Sequence, residues 1–498
     1  MQHILAGIGD ALSLINVLYV AFGVSIGIFV GAIPGLNAPM AIAIAVPLTF
    51  TMSPLAAIAF LIGINKGGTY GGSISAILLN TPGSPEATST AFDGYPLAQK
   101  GKGLKALKMA LYSSVFGDSL SDIVLFTVAA PLALVALKLG PPELTAVLIF
   151  ALTIIAGLAG KSMLRGLIAA ALGGFLSTVG LDIETAEPRL TFGFIELNDG
   201  IPLLPMAIGL LALSEIIIQI ERFVLGGRSE GAAIDIFARD VPAEDKTVSL
   251  QEFKDCFRTI IRSSLIGTGI GALPGIGAVV AGFLGYGAAK RASKTPDEFG
   301  KGKLEGVAAA EAANSAVTGA NLIPLLAVGI PGSLSAAILI GAFLIHGVDP
   351  GPLIFEEHPR LVYGIFGAMV IANVMNLFIG SVGLRFFAIL VRFPNSVIHP
   401  VIVVLCIAGS FAIGNAVFSI GIMVTFAIIG YFMRKLDFSF ATFIIGFALG
   451  DSLEVSFRQT VILFAEHPSQ LLTHWIALAF ILLTLFSVYR ILRRPANR

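Results

Sequence analysis

Charge is scarce in this chain: Asp, Glu, Lys and Arg make up only 12% of its 498 residues. Soluble domains carry roughly 25%, so a water-soluble globular protein is excluded. The hydrophobic share of 56% and mean hydropathy of +0.91 place the chain in lipid, and spanning-length apolar runs recur along it. The net charge of zero leaves no basic footprint for nucleic acid. Cysteine is nearly absent; Cys256 and Cys406 form neither a disulfide framework nor a metal spacing. His346, His358 and His467 are scattered and no HExxH occurs, so no metal site is expected. Residues 1–10 lack the charged start and cleavage site of a removed signal peptide. The segment Gly157-Leu158-Ala159-Gly160-Lys161-Ser162 imitates a phosphate loop, but that motif needs glycine where Ile155 stands. No nucleotide-driven domain fits, and no Ser/His/Asp or Cys/His set lies in the apolar runs, so an enzyme is not expected.

Glycine and proline are abundant, at 56 and 25 residues. Their placement is informative. Gly31-Ala32-Ile33-Pro34-Gly35-Leu36-Asn37 recurs in the second half as Gly271-Ala272-Leu273-Pro274-Gly275-Ile276-Gly277. A second pair is Asn80-Thr81-Pro82-Gly83-Ser84 and Gly329-Ile330-Pro331-Gly332-Ser333. Proline removes a helical hydrogen bond and glycine relaxes the backbone. Within a bilayer such breaks persist only where protein or a watery cavity satisfies the freed groups. Paired breaks at corresponding positions of two halves point to a transporter's binding site.

The expected fold is an all-α polytopic membrane protein of about 12 spans, some of them broken helices or re-entrant hairpins. Residues 222–262 form the longest polar stretch, with an amphipathic end at Phe253, Phe257, Ile260 and Ile261. They divide the chain into a first membrane repeat, 1–221, a linker at the membrane surface, and a second repeat, 263–498, with C-terminal helices. Loop charge then sets relative orientation. The loop Thr51-Met52-Ser53-Pro54 is uncharged, whereas its counterpart after the third break holds Lys290, Arg291, Lys294, Lys301 and Lys303. After the other pair the pattern reverses: Lys100 to Lys108 follow the first copy, and Asp349, Glu356 and Glu357 the second, with Arg360 the nearest cation. Cytoplasmic loops collect Lys and Arg, so equivalent loops lie on opposite sides and the repeats have inverted topology. Arg490, Arg493, Arg494 and Arg498 are expected in the cytoplasm.

A half-helix that begins after a break offers backbone N–H groups and a positive dipole end, an anion site without a buried lysine. The half-helix that ends before it offers carbonyls, which suit Na⁺. The expected substrate contacts are Asn80, Thr81, Pro82, Gly83, Ser84, Asn314, Pro331, Gly332 and Ser333, with Ser335 close by. Backbone near Gly35, Asn37 and Gly275 is expected to hold cations. Glu311 lies in small-residue, apolar sequence, where an ionisable group is functional by default, unless it caps a helix end near water. Asp118 and Asp122, four residues apart, share a helical face; they hold a cation or share a proton, or else mark a helix end near water. Glu454 and Arg458 have ion-pair spacing. A channel lined by broken helices is the alternative to a transporter.

Several of these segments also carry a family resemblance. Gly31-Ala-Ile-Pro-Gly-Leu36, Tyr70-Gly-Gly-Ser-Ile-Ser-Ala-Ile-Leu-Leu-Asn-Thr-Pro-Gly83 and Asp93-Gly-Tyr-Pro96 closely resemble the TctA family, the large membrane subunit of tripartite tricarboxylate transporters. Gly140-Pro-Pro-Glu143, Arg189-Leu-Thr-Phe-Gly193, Phe299-Gly-Lys-Gly302, Gly329-Ile-Pro-Gly332 and His346-Gly-Val-Asp-Pro-Gly-Pro352 extend the likeness over nearly the whole chain. The resemblance implies a multi-pass subunit of the bacterial inner membrane, working with a small TctB-like membrane subunit. It implies delivery of a carboxylate such as citrate by a periplasmic TctC-like binding protein, and uptake coupled to Na⁺ or another cation such as H⁺, with no other cofactor. Two residues depart from the family pattern. Lys66 stands where an uncharged residue is expected, and Asp118 where a small one is. Either departure bears on the substrate or coupling ion: Lys66 is suited to an anionic ligand, or else takes the ordinary role of a lysine snorkelling to the membrane interface.

Overall fold

The computed structural model describes residues 2–158, 162–225, 242–275, 277–390, 395–414 and 416–492. Part of the phosphate-loop imitation (159–161), most of the linker (226–241), Ile276 of the third break, and Arg493, Arg494 and Arg498 lie outside the described residues.

The chain is almost wholly helical. The first half holds α1 (Gln2–Ala11), α2 (Leu14–Ala32), α3 (Ala38–Ala45), α4 (Pro54–Leu79), α5 (Thr88–Leu97) and the long α6 (Gly103–Ala136). It continues with α7 (Pro141–Leu158), α8 (Met163–Ser177), α9 (Leu203–Ile208) and α10 (Ser214–Val224). The second half holds α11 (Leu250–Gly271), α12 (Gly277–Ala292), α13 (Leu304–Ala320), α14 (Leu322–Val328), α15 (Leu334–Ile345), α16 (Ile354–Glu357) and α17 (Pro359–Val382). It ends with α18 (Leu384–Leu390), α19 (Asn395–Gly414), α20 (Val417–Lys435), α21 (Phe440–Phe464) and α22 (Trp475–Leu492). Among the described residues, six helices or continuous helical runs are long and apolar enough to cross a bilayer, and shorter apolar helices accompany them. This is an all-α, multi-pass membrane protein. Helix α11 starts well before Ser263, inside the polar stretch, where Ser249 and Glu252 form a reciprocal capping box.

Packing follows residue size. Gly23, Gly27 and Gly31 of α2 lie against the carbonyls of Phe60, Ile64 and Gly68 of α4. The two rows of four-residue steps advance together, so α2 and α4 run parallel at backbone contact. Outer helices present large apolar side chains, such as Leu134 at 60% and Phe378 at 62% exposure, as lipid demands.

Polar contacts define two ends. At one, Thr49 Oγ1 meets His346 Nε2 at 3.1 Å and Arg360 binds the Asp10 carboxylate. At the other, Lys100 Nζ donates to the Lys301 carbonyl at 2.5 Å, Lys105 pairs with Glu252 at 2.7 Å, and Lys303 donates to Ser293. Both α2 and α4 start at the His346 end, and α3 returns there, so α2 and α3 form a hairpin open at one side. The α4–α5 pair then runs to the basic end. The α13–α15 pair starts at the basic end and finishes at His346, in the opposite direction. The two halves also exchange long helices: α6 packs on α13, and α17 packs on α4 and α2. Accessible tags inserted at 51–53 and at 292–298 are expected to label from opposite sides of sealed vesicles, the second from the cytoplasmic side; labelling of both from one side would reject the inverted arrangement.

Candidate functional site

Each break is built the same way in both halves. Gly35 and Gly275 have φ of +84° and +81°, a conformation that favours glycine. Asn80 ends α4 in the left-handed region at φ 54°, and Gly329 ends α14 there at φ 79°; asparagine tolerates that geometry better than most residues. Within each half the two breaks converge. A Cβ on Gly83 would meet the Gly31 carbonyl, and in the other half the Gly275 N–H donates to the Gly332 carbonyl at 3.0 Å. Ser333 caps α15 through the Ala336 N–H and accepts from Asn321 Nδ2 at 2.7 Å; Asn37 caps α3 through the Met40 N–H at 3.0 Å. Thr81 Oγ1 donates back to the Leu79 carbonyl at 3.4 Å. Ser84 Oγ and both amide atoms of Asn314 are buried without a hydrogen-bond partner. Gly35 faces Gln219 and Glu215 of α10, whereas Gly275 faces Ile155 of α7. The two residues assigned together to cations therefore have different surroundings.

Between the halves lies a polar centre that joins Lys66, Asp118 and Asp122, which the sequence singles out separately, with Asn373, which it does not. Lys66, midway along the 26-residue α4, has zero solvent exposure. Its ammonium donates to Asp122 Oδ1 at 3.1 Å, Asp122 Oδ2 at 2.9 Å and Asn373 Oδ1 at 2.9 Å. Asp118 Oδ1 is 3.5 Å away. Asn373 also donates to Asp122 Oδ2 at 2.8 Å and to Ser119 at 3.2 Å. The snorkelling role for Lys66 is thereby overturned: about 18 Å of helix separates it from the start of α4, and its charge is met inside the protein. Asp118 and Asp122 are likewise fully buried, well inside the 34-residue α6 rather than near its water-facing end. The two departures from the family pattern, Lys66 and Asp118, face each other.

Thr69 and Thr318 bring their hydroxyls to 3.4 Å across the same interface, and Ser114 and Ser315 to 2.7 Å. Thr69 stands thirteen residues before Pro82, and Thr318 thirteen before Pro331; Asn65 and Asn314 precede them by one helical turn. This Asn-x-x-x-Thr repeat, in register with the Pro-Gly breaks, is the sequence signal that could have located the interface. Glu311 is not at a helix end. It lies two turns into α13, fully buried, accepting from Ser73 at 2.5 Å and from Thr90.

The remaining motifs are structural ties. Asp93 Oδ1 accepts from the backbone N–H groups of Gly300, Gly302 and Lys303 at 2.8–2.9 Å, and Oδ2 accepts from the Tyr286 hydroxyl. The Asp93-Gly-Tyr-Pro and Phe299-Gly-Lys-Gly segments thus lock α5 to the loop that opens α13. The expected Glu454–Arg458 ion pair forms at 2.7 Å, within a network joining Asp182 and Arg189. The Thr185 N–H, the Arg458 guanidinium and the Glu184 N–H hold the Asp182 carboxyl well below the usual carboxylate range. A lowered folded-state pKa stabilises above the unfolded value, about 3.9, and is lost as pH falls through the folded one. Hydrogen exchange over 180–198 is expected to stay constant from neutrality to about pH 4 once corrected for intrinsic rate, and to rise only below it; an increase between pH 7 and 5 would contradict the tie. Among the described residues no group of three or more His, Cys, Asp or Glu side chains could hold a metal ion.

Helices broken in pairs within a multi-pass bundle, around a buried polar interface, are the build of a membrane transporter. The chain belongs to the tripartite tricarboxylate transporter TctA family, whose profile matches residues 17–445. It is therefore a component of a tripartite tricarboxylate transport system. One relative, from Agrobacterium vitis, is described as an uncharacterized 52.8 kDa protein in the TAR-I ttuC' 3' region; it is 34% identical over 466 residues, covering 93% of this chain and 90% of the relative. Another from the same organism, an uncharacterized protein in the TAR-II ttuC' 3' region, is 33% identical over 222 residues, covering 45% of this chain and 92% of the relative. No solved structure matches the chain.

Proposed function

We propose that this chain is the large membrane subunit of a secondary importer for a di- or tricarboxylate of the citrate type. It works in the bacterial inner membrane with a small TctB-like subunit, takes its substrate from a periplasmic TctC-like binding protein, and is driven by a Na⁺ or H⁺ gradient. The observation that carries this reading is the convergence of two breaks in each half, which gathers the N-terminal starts of short helices in the membrane interior. Helix starts favour anions without a buried basic side chain. The unpartnered Ser84 hydroxyl and Asn314 amide support it further. An unmet buried polar group costs about 1–3 kcal/mol, and a carboxylate ligand offsets that cost. Asn80, Thr81, Pro82, Gly83 and Ser84 would line one side of the substrate, and Asn314, Pro331, Gly332 and Ser333 the other. Carbonyls near Gly35, Asn37 and Gly275 would serve cations. The test is uptake and counterflow of a panel of labelled di- and tricarboxylates in proteoliposomes holding the chain, its partner subunit and the binding protein. Saturable exchange of at least one carboxylate is expected; no exchange across the panel rejects the reading, and flux that no cation gradient can drive uphill favours a channel.

A further inference from the structure

The Lys66 cluster has more acceptors than its one cation can serve. An ammonium has three N–H donors, and here all three are engaged, two by Asp122 and one by Asn373. Asp118, also fully buried, is left with an ion-pair distance of 3.5 Å and no hydrogen bond to either carboxylate oxygen. With both carboxylates ionised the cluster would carry one uncompensated negative charge in the membrane interior, where an unmet ion costs several kcal/mol. A further unpartnered group lies on α17. Asn376 follows Asn373 by three residues on one face of α17, is fully buried, and has neither amide atom partnered. The cluster is therefore built for one more positive charge than it holds.

We propose that Asp118 is the proton-coupling group of the transporter, with Lys66 as the built-in cation that reserves the neighbouring seat. The proposal rests on the transport reading above and specifies its driving ion. In each cycle a proton from the outer aqueous phase forms an O–H bond on one Asp118 oxygen, leaving the cluster neutral. That bond breaks toward the cytoplasm after reorientation, while Lys66 stays charged and paired to Asp122. A metal cation would suit this position poorly, because it would share Asp118 with an ammonium 3.5 Å away, and like charges repel strongly in a dry interior. The charged or titratable groups around Asp118 are Asp122 on α6 itself, Lys66 from α4 and Glu311 from α13, whose Oε1 accepts from Ser73 and Thr90 while its Oε2 is unpartnered. The Tyr70 hydroxyl of α4 points to the Leu107 carbonyl, α11 brings Arg262, which donates to Thr259, and α17 contributes the neutral Asn373 and Asn376. Helix α14 carries no ionisable residue.

The experiment uses the same proteoliposomes, without Na⁺. In the parent protein an inwardly directed pH gradient is expected to accumulate substrate about tenfold per unit of pH for each coupled proton. Asp118→Asn, the neutral mimic of the protonated state, is expected to keep counterflow exchange and lose that accumulation. Accumulation by Asp118→Asn equal to the parent's overturns the proposal, as does a parent that exchanges carboxylate yet accumulates it only with Na⁺. Absence of exchange in the parent instead overturns the transport reading. A measurement on the unmutated protein guards against misfolding of the variant. A hydrophobic carbodiimide, which attacks protonated carboxyls, is expected to label Asp118 and spare Asp122 by peptide mass spectrometry, with labelling falling as pH rises. No label on Asp118 overturns the assignment.

Discussion

Replacing Lys66 by methionine is expected to cost about 3–5 kcal/mol of stability, the usual penalty for removing one partner of a buried ion pair. The side chain is of similar length, so the loss measures charge rather than volume. Asp122 would be left buried with only Asn373 as donor. Adding Asp122→Asn should recover part of the loss, because the Lys66–Asp122 pair is then replaced by neutral groups of similar shape, while Asp118 still lacks the ammonium that stood 3.5 Å away. Denaturant or thermal unfolding of the detergent-purified protein, read by loss of monodispersity, checks both variants. A single mutant as stable as the parent, or a double mutant no better than the single, would show that the pair is not the tie described here.

The second large effect is on transport. Gly83→Ala and Gly332→Ala add one methyl each, and each methyl lands on backbone. At Gly83 it meets the Gly31 carbonyl and the Gly72 Cα; at Gly332 it meets the Asn321 carbonyl at 2.7 Å and its Cα at 2.8 Å. Backbone cannot rotate aside as a side chain can, so at Gly83 the two breaks of the first half must separate, and at Gly332 the break must move away from the α13–α14 junction. Uptake is expected to fall to background in both variants, with membrane insertion and extracted yield near the parent's. Transport unchanged in both would reject the breaks as the substrate's seat; transport lost in only one would show that the halves contribute unequally.

The breaks themselves were legible because proline and glycine act on the backbone at their own positions. The inverted arrangement is read from loop charge, and the contacts at Thr49–His346 and Lys100–Lys301 place the equivalent loops at different ends of the bundle, leaving their membrane sides to the labelling experiment. The polar centre was not legible, since pairing Lys66 with Asn373 requires knowing which helix packs where, across 307 positions. Composition made Lys66 look interfacial and left Glu311 either a functional group or a cap. The interfacial and capping readings assumed that a charge in apolar sequence seeks water, whereas each finds its partners on neighbouring helices. The Asn-x-x-x-Thr repeat was visible in principle, but four-residue polar spacing is common, and only its register with the Pro-Gly breaks singles it out.

The Lys66–Asp122 pair also bears on how the chain enters lipid during synthesis. Its partners are 56 residues apart, on helices of the same half. The lysine can therefore meet its counter-charge as soon as α6 emerges, and the two can leave the insertion machinery already paired. Asn373 arrives much later and completes an arrangement whose net charge is already settled. A nascent chain stopped before α6 would instead confront the bilayer with a lone ammonium, which is costly at that depth. The spacing of these two residues along the chain thus sets a minimum length that must be made before α4 can rest stably in the membrane.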